Sequence, residues 1–117
     1  MENRYKESIK WLDRAKRVIP SASQTYSKSY RYYCEGAAPA FIDHGFGSHV
    51  WDVDGNEYVD FVLALGPITL GYNYTAINTA IANQLEKGII FSLPTTLEVE
   101  LAEKLTEIIP CAEMVRF

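Results

Sequence analysis

Two β-prone runs flank Asp54-Gly55-Asn56, and this arrangement constrains the fold more than any other part of the chain. Val50-Trp51-Asp52-Val53 alternates apolar and polar residues, and Tyr58-Val59-Asp60-Phe61-Val62-Leu63 resumes the β-prone character after the break. Gly and Asn accept the positive φ of a tight turn, so the pattern predicts a β-hairpin. The second run then becomes wholly apolar and passes into Leu65-Gly66-Pro67 and Leu70-Gly71. Gly and Pro weaken an ordinary strand. They suit a place where backbone closely approaches a cofactor, a substrate or another subunit.

Around this hairpin the pattern is helical at both ends. Tyr5, Ile9, Leu12 and Ala15 or Lys16 recur at three- and four-residue steps, which predicts a helix over residues 3–18 that ends at Pro20. Residues 21–33, SASQTYSKSYRYY, have no period. They read either as a surface loop with tyrosines packed over a neighbour or as a loop that covers a polar ligand with hydroxyls, a Lys and aromatic faces. Ala40–Asp43 is expected as a short strand, with Gly45-Phe46-Gly47 turning into the hairpin. A second helix is expected over about 76–87, with Ile77, Ala80, Ile81 and Leu85 on its apolar face, Asn73 or Thr75 as its cap and Gly88 as its stop. Residues 89–94 read as extended. Thr95 and Glu98 have the spacing of a capping box, and the helix it opens carries Leu97, Leu101, Leu105 and Ile108 on one face up to Pro110. Residues 113–117 read as the start of a strand.

Composition excludes several classes. A chain of 117 residues with 48% hydrophobic content can build one modest core. The net charge of −4 is mild and interspersed, so neither a nucleic-acid nor an anionic membrane surface is expected. The longest apolar run, Phe61–Leu70, is too short to span a bilayer, and the charged amino terminus is no signal peptide. Cys34 and Cys111 lack metal-ligand spacing and read as reduced thiols of a cytoplasmic protein. Gly45-x-Gly47 lacks the third glycine of a dinucleotide fingerprint. Asp52, Asp54, Glu57 and Asp60 fail the calcium-loop pattern, because Glu57 and Leu63 occupy its sixth and twelfth positions. They read as turn formers and outward strand positions. His44 and His49 have no ligand-spaced partners and read as surface or packing residues.

Several pieces in order carry a resemblance: Val18-Ile19-Pro20, Pro39-Ala40-Phe41-Ile42, WDVDGNEYVDF, Gly66-Pro67, Leu70-Gly71, LEVELA at 97–102 and EMVRF at 113–117. Together they resemble the amino-terminal region of the class III aminotransferases, which use pyridoxal phosphate (PLP), and specifically the glutamate-1-semialdehyde aminomutase branch. The family's chains are several times longer. The resemblance therefore implies an α+β amino-terminal segment over residues 1–110, consisting of a helix, a small antiparallel sheet with its hairpin and two more helices. Residues 111–117 are then the start of the PLP-binding large domain, the first strand of a fold-type-I transferase. It also implies a homodimer acting on a small amine or carbonyl substrate.

Residue roles follow from the same resemblance. Counted from Ile19-Pro20, the substrate-carboxylate positions fall at Thr25 and Lys28, where Lys replaces the family's Arg and a bidentate fork becomes a point charge. Leu65, Gly66 and Pro67 are implied to wall the cofactor and substrate pocket. Leu65 stands where the aminomutase has Trp, which implies a different amine or keto substrate. The family's phosphate-binding turn, its acid beside the pyridine nitrogen and its Schiff-base lysine lie beyond Phe117, and none of the six lysines here matches the lysine motif. The chain is thus expected to be an inactive part of an enzyme. A stand-alone dimerisation or regulatory module is the alternative.

Overall fold

The structure, a computed structural model, describes residues 4–117. It contains helix α1 (Lys6–Val18), strands β1 (Ile42–Phe46), β2 (His49–Asp52) and β3 (Glu57–Val59), and helices α2 (Thr75–Leu85) and α3 (Thr96–Ile108). Two compact units divide it, one ending at Asn78 and one spanning Thr79–Phe117. No helix is long and apolar enough to cross a membrane.

In the first unit, α1 turns Leu12 and Ala15 inward with Ser8, and they form a core with Ala22, against which Ile19, Tyr30, Ala40 and Phe41 pack. The helix stops at Ile19, which is extended because Pro20 follows. Its amino terminus has no cap from its own neighbours. Asp54 serves instead: one carboxylate oxygen accepts from the Glu7 N–H at 2.6 Å and the other from the Ser8 N–H at 2.8 Å. A carboxylate there satisfies orphan donors and meets the positive end of the helix dipole. Asp54 is therefore more than the turn former expected of it. Position 3, where the helix was expected to begin, lies outside the described residues.

The sheet is antiparallel in the order β1-β2-β3. The expected hairpin is β2–β3, turning at Asp54-Gly55-Asn56 with Gly55 at φ +82°. The preceding turn differs from expectation. Gly45 and Phe46 remain in β1, paired with Val50 and His49, and the chain reverses at Gly47-Ser48. This ladder position is a glycine because Tyr72 crosses it: a Cβ there would lie 2.5 Å from the tyrosine's Cγ. A bulge between Ile42 and His44 sets the register. β3 ends at Val59, well before Leu63, where the Asp60 side chain turns the chain away.

Asp52 also corrects the sequence reading. It is 2% exposed and points inward. Its Oδ1 accepts from the Asp54 and Asn56 N–H groups at 3.0 and 2.8 Å, and its Oδ2 from Asn56 Nδ2 and the Tyr58 hydroxyl at 2.9 and 2.8 Å. Burial works to raise its pKa, but the Asn56, Tyr58 and Asp54 donors outweigh it and hold the carboxyl below its ordinary value. The turn is thus closed around a buried charge that is fully partnered. Glu57 is the outward acid, bonded to His49 at 2.6 Å, while His44 stacks on Trp51 with ring centres 4.8 Å apart.

Residues 21–33 coil through short 3-10 turns. Ser29, fully buried, donates to the Ser21 carbonyl at 3.0 Å. Tyr30 packs on the core as expected, whereas Tyr26, Tyr32 and Tyr33 stay exposed.

In the second unit, α3 opens with the Thr95 N–H donating to Glu98 Oε1 at 3.0 Å, as its capping sequence predicts. Gly88 stops α2's turn at φ +94° and accepts from Gln84 Nε2 at 2.8 Å. At the end of the first unit, Asn73 Oδ1 accepts from the Asn78 side chain. Residues 89–94 and 113–117 form no ladder, since an extended segment without a neighbouring strand has nothing to pair with.

Candidate functional site

Asp60 begins a loop that ends at Tyr72. Its Oδ1 accepts from the Val62 and Leu63 N–H groups at 2.8 and 3.2 Å, which turns the chain out of the sheet and ends β3. Its Oδ2 accepts from the Tyr72 hydroxyl at 2.6 Å. The Tyr72 backbone pairs in both directions with Gly47, at 3.0 and 2.7 Å. The two ends of the loop are thus tied to each other and to the β1–β2 turn.

Between them the backbone is left-handed at Leu63, Ala64, Leu65 and Gly66, with φ of +51°, +49°, +67° and +119°. Only Gly takes that region freely. The other three residues cost about 1–2 kcal/mol each, and they persist where the surroundings over-determine them. Leu65 N–H donates to the Val62 carbonyl and Gly66 N–H to the Leu63 carbonyl, both at 2.9 Å, and Thr69 Oγ1 donates to the Gly66 carbonyl at 2.6 Å. The turn presents Leu65, 72% exposed, on its outside.

Electrostatics follow from the same contacts. The Tyr72 hydroxyl holds the Asp60 carboxyl below its ordinary value, aided by the two N–H groups and opposed by burial. In return, the hydrogen bond to Asp60, burial and the carboxylate's charge push the Tyr72 phenol up to about 12.

Of the residues implied by resemblance, Leu65, Gly66 and Pro67 therefore share one exposed, strained turn. Thr25 and Lys28 lie in the 3-10 segment of residues 21–33, both exposed. The Thr25 carbonyl accepts from the Lys28 N–H at 3.2 Å, and the Lys28 ammonium has no ion pair among the described residues. Among the described residues, no hydrogen bond or ion pair joins this pair to the Leu65 turn. Asp60 and Tyr72 were missed as loop anchors. Asp60 had a signal, since an Asp readily accepts from the N–H two residues on, here Val62, but nothing local marks Tyr72 as its partner.

The described lysines do not fit a Schiff-base site for PLP, which needs one amine desolvated beside the cofactor aldehyde. Lys10 pairs with Glu7, Lys104 with Glu107 and Lys16 with Glu35, whose hydrogen bond raises the Lys16 pKa rather than lowering it. Lys6, Lys28 and Lys87 are exposed. The hollow beside α1 is about 20 Å³, room for a water.

The family model of class-III aminotransferases matches residues 32–117. Glutamate-1-semialdehyde 2,1-aminomutase of Chloroflexus aggregans is 40% identical over 114 residues, which are 97% of this chain and 26% of the aminomutase. 3-Aminobutyryl-CoA aminotransferase of Cloacimonas acidaminovorans is 43% identical over 92% of this chain and 26% of that protein. Among solved structures, the FumI protein of Sphingopyxis sp. MTA144, in its PLP internal aldimine form, superposes with a TM-score of 0.83 at 29% identity, over 93% of this chain and 26% of that one. The chain thus spans about a quarter of the length of the curated relatives it matches. The small sheet, its helices and most of the sequence agree with one family, and the chain belongs to the class-III aminotransferases.

Proposed function

We propose that this chain is the amino-terminal part of a PLP-dependent class-III aminotransferase or aminomutase, with residues 111–117 leading into the large domain that binds the cofactor. The observation that carries this reading is the left-handed turn at Leu63–Gly66, an exposed and strained feature within the segment the family model matches. Strain of this kind collects at functional sites. In the whole enzyme the turn supplies one wall of the pocket through Leu65, Gly66 and Pro67, and Thr25 and Lys28 hold a polar or anionic end of the small amine or carbonyl substrate. Bound PLP supplies the electron sink for amino-group transfer. The lysine that anchors it is assigned to the rest of the enzyme, since those described here stand in water or in ion pairs. The open apolar faces of α2 and α3 support a larger assembly that covers them, through the rest of the enzyme or the second copy of a homodimer.

The test is a chimera in which residues 1–117 replace the corresponding quarter of an aminomutase relative. The cofactor's absorbance is expected to shift on adding an amine donor, and Lys28→Ala to raise KM for an anionic donor about tenfold, the loss of one charge-assisted hydrogen bond. A folded chimera that binds PLP yet never exchanges amino groups overturns the reading. Borohydride reduction of the chain alone with stoichiometric PLP is expected to label its lysines unselectively. One lysine labelled to near completion favours a self-contained module instead.

A further inference from the structure

Tyr72 is held at both ends. Its ring lies across Gly45, where a Cβ would come within 2.5 Å of Cγ, and its backbone makes both hydrogen bonds to Gly47. The hydroxyl then reaches from this fixed base to Asp60 Oδ2 at 2.6 Å, while Asp60 Oδ1 accepts the N–H groups of Val62 and Leu63, which lead into the left-handed run. Gly71 is drawn in as well: at φ +86° a Cβ there would lie 2.8 Å from the Gly47 carbonyl oxygen.

We propose that Asp60 and Tyr72 form a latch that fixes the Leu63–Gly66 turn against the sheet and so sets the room that Leu65 leaves for the substrate. This rests on the reading that the turn faces the amine or carbonyl substrate. Both are positioning residues, because neither needs to touch the substrate to act. The physical argument is one of leverage. Three consecutive non-glycine residues at positive φ relax toward ordinary conformations unless their ends are clamped. Short backbone bonds within the turn, Leu65 to Val62 and Gly66 to Leu63, move with it and do not tie it to anything outside. The Asp60 carboxylate does, through Tyr72, to the β1–β2 turn. Leu65 projects from the middle of the clamped segment, so a small rotation at Leu63 or Ala64 is magnified at its side chain. The lowered Asp60 pKa and raised Tyr72 pKa agree with a carboxylate that accepts a strong phenol hydrogen bond.

Tyr72→Phe removes the hydroxyl and keeps the ring on Gly45, so the sheet stands. In the chain itself, the amides of Leu65, Gly66 and Ile68 are expected to exchange with solvent about tenfold faster in Tyr72→Phe, the scale of one lost hydrogen bond. The Glu7 and Ser8 amides, bound to Asp54, keep their rates. Asp60→Asn, which still offers an oxygen to Val62 and Leu63, is expected to fall between wild type and Tyr72→Phe. In the chimera, the ratio of kcat/KM for a small over a bulky amine donor is expected to change about tenfold in Tyr72→Phe, with kcat for the small donor held within about twofold. Unchanged exchange at Leu65, Gly66 and Ile68, or exchange raised equally at Glu7 and Ser8, overturns the latch. Local loosening with an unchanged donor ratio overturns the positioning role. A wild-type chimera without transaminase activity overturns the aminotransferase reading and the substrate half of this inference with it, while the exchange rates still decide the latch.

Discussion

Helices α1 and α3 each have 13 residues and an apolar stripe at helical spacing, yet the stripes meet different fates. On α1, Leu12 is 4% exposed and Ala15 is 6% exposed, sealed under Ala22, Ile19 and Phe41. On α3, Leu97, Leu101 and Ile108 are all at least half exposed, and no residue of the helix is buried. The amino termini differ in the same way. α1 borrows its cap from Asp54, 46 residues away, whereas α3 uses its own Glu98. Among the described residues, every buried one lies between Tyr5 and Asp52. An amphipathic pattern therefore marks a helix and a preferred face. Whether that face is covered depends on what else is folded against it.

The paired truncations Leu12→Ala and Leu101→Ala put the difference to measurement. Leu12→Ala is expected to destabilise the first unit by about 3 kcal/mol, the usual cost of losing buried methyl groups and leaving a cavity. Urea unfolding followed by tryptophan fluorescence reads this directly, because Trp11 and Trp51 both lie in that unit. A loss below about 1 kcal/mol contradicts the core described here.

Asp52→Ala is expected to cost about 2 kcal/mol by the same measurement, since it strips a buried hub from Asp54, Asn56 and Tyr58. An equal effect from Glu57→Ala, which faces outward, contradicts a special role for the buried carboxylate.

The pH dependence has a sign that can be worked out. Asp52 and Asp60 have folded pKa values below the ordinary 3.8, so the unfolded chain binds protons first on acidification. Their stabilisation is present above about pH 4 and is lost as pH falls through the folded values. Tyr72 is raised from 10.0 to about 12, so its contribution is complete below pH 10 and is lost between pH 10 and about 12. Tryptophan fluorescence across both limits is expected to show the first unit losing stability at each end. Tyr72→Phe is expected to make the alkaline limb shallower without abolishing it, because burial, Tyr5 and Asp52 push the Tyr58 phenol up as well, and an unaltered limb contradicts the Tyr72 contribution.

The smallest effect belongs to the other helix. Leu101→Ala on α3 is expected to change stability by less than about 0.5 kcal/mol in the isolated chain, because the side chain is half exposed. Far-UV circular dichroism melts check this. A loss as large as that at Leu12 means the α3 face is already covered in solution, as self-association produces, and sedimentation of the same sample then reads the mass directly.

Local chemistry makes much of this protein legible in its sequence. The spacing of Leu12 and Ala15, the Asp54-Gly55-Asn56 turn, the Gly88 stop and the Thr95–Glu98 cap each depend on residues a few positions apart, so the sequence alone determines three helices and a hairpin. The resemblance carried by the same residues leads to the family. Local pattern does not extend to residues whose roles are set at a distance. Gly45 reads as a turn residue, and only the ring of Tyr72 crossing it explains why a strand position there is a glycine. Asp52, Asp54 and Asp60 read as turn formers and outward acids, because a carboxylate's local pattern is the same in water as when it gathers buried donors. The tertiary structure decides which acid caps α1, which closes the hairpin and which clamps the candidate loop. It also decides the left-handed path of Leu63, Ala64 and Leu65, which no intrinsic preference of those residues favours. Such a path exists only where contacts from elsewhere in the fold, here Asp60 and Tyr72, outweigh what each residue prefers by itself.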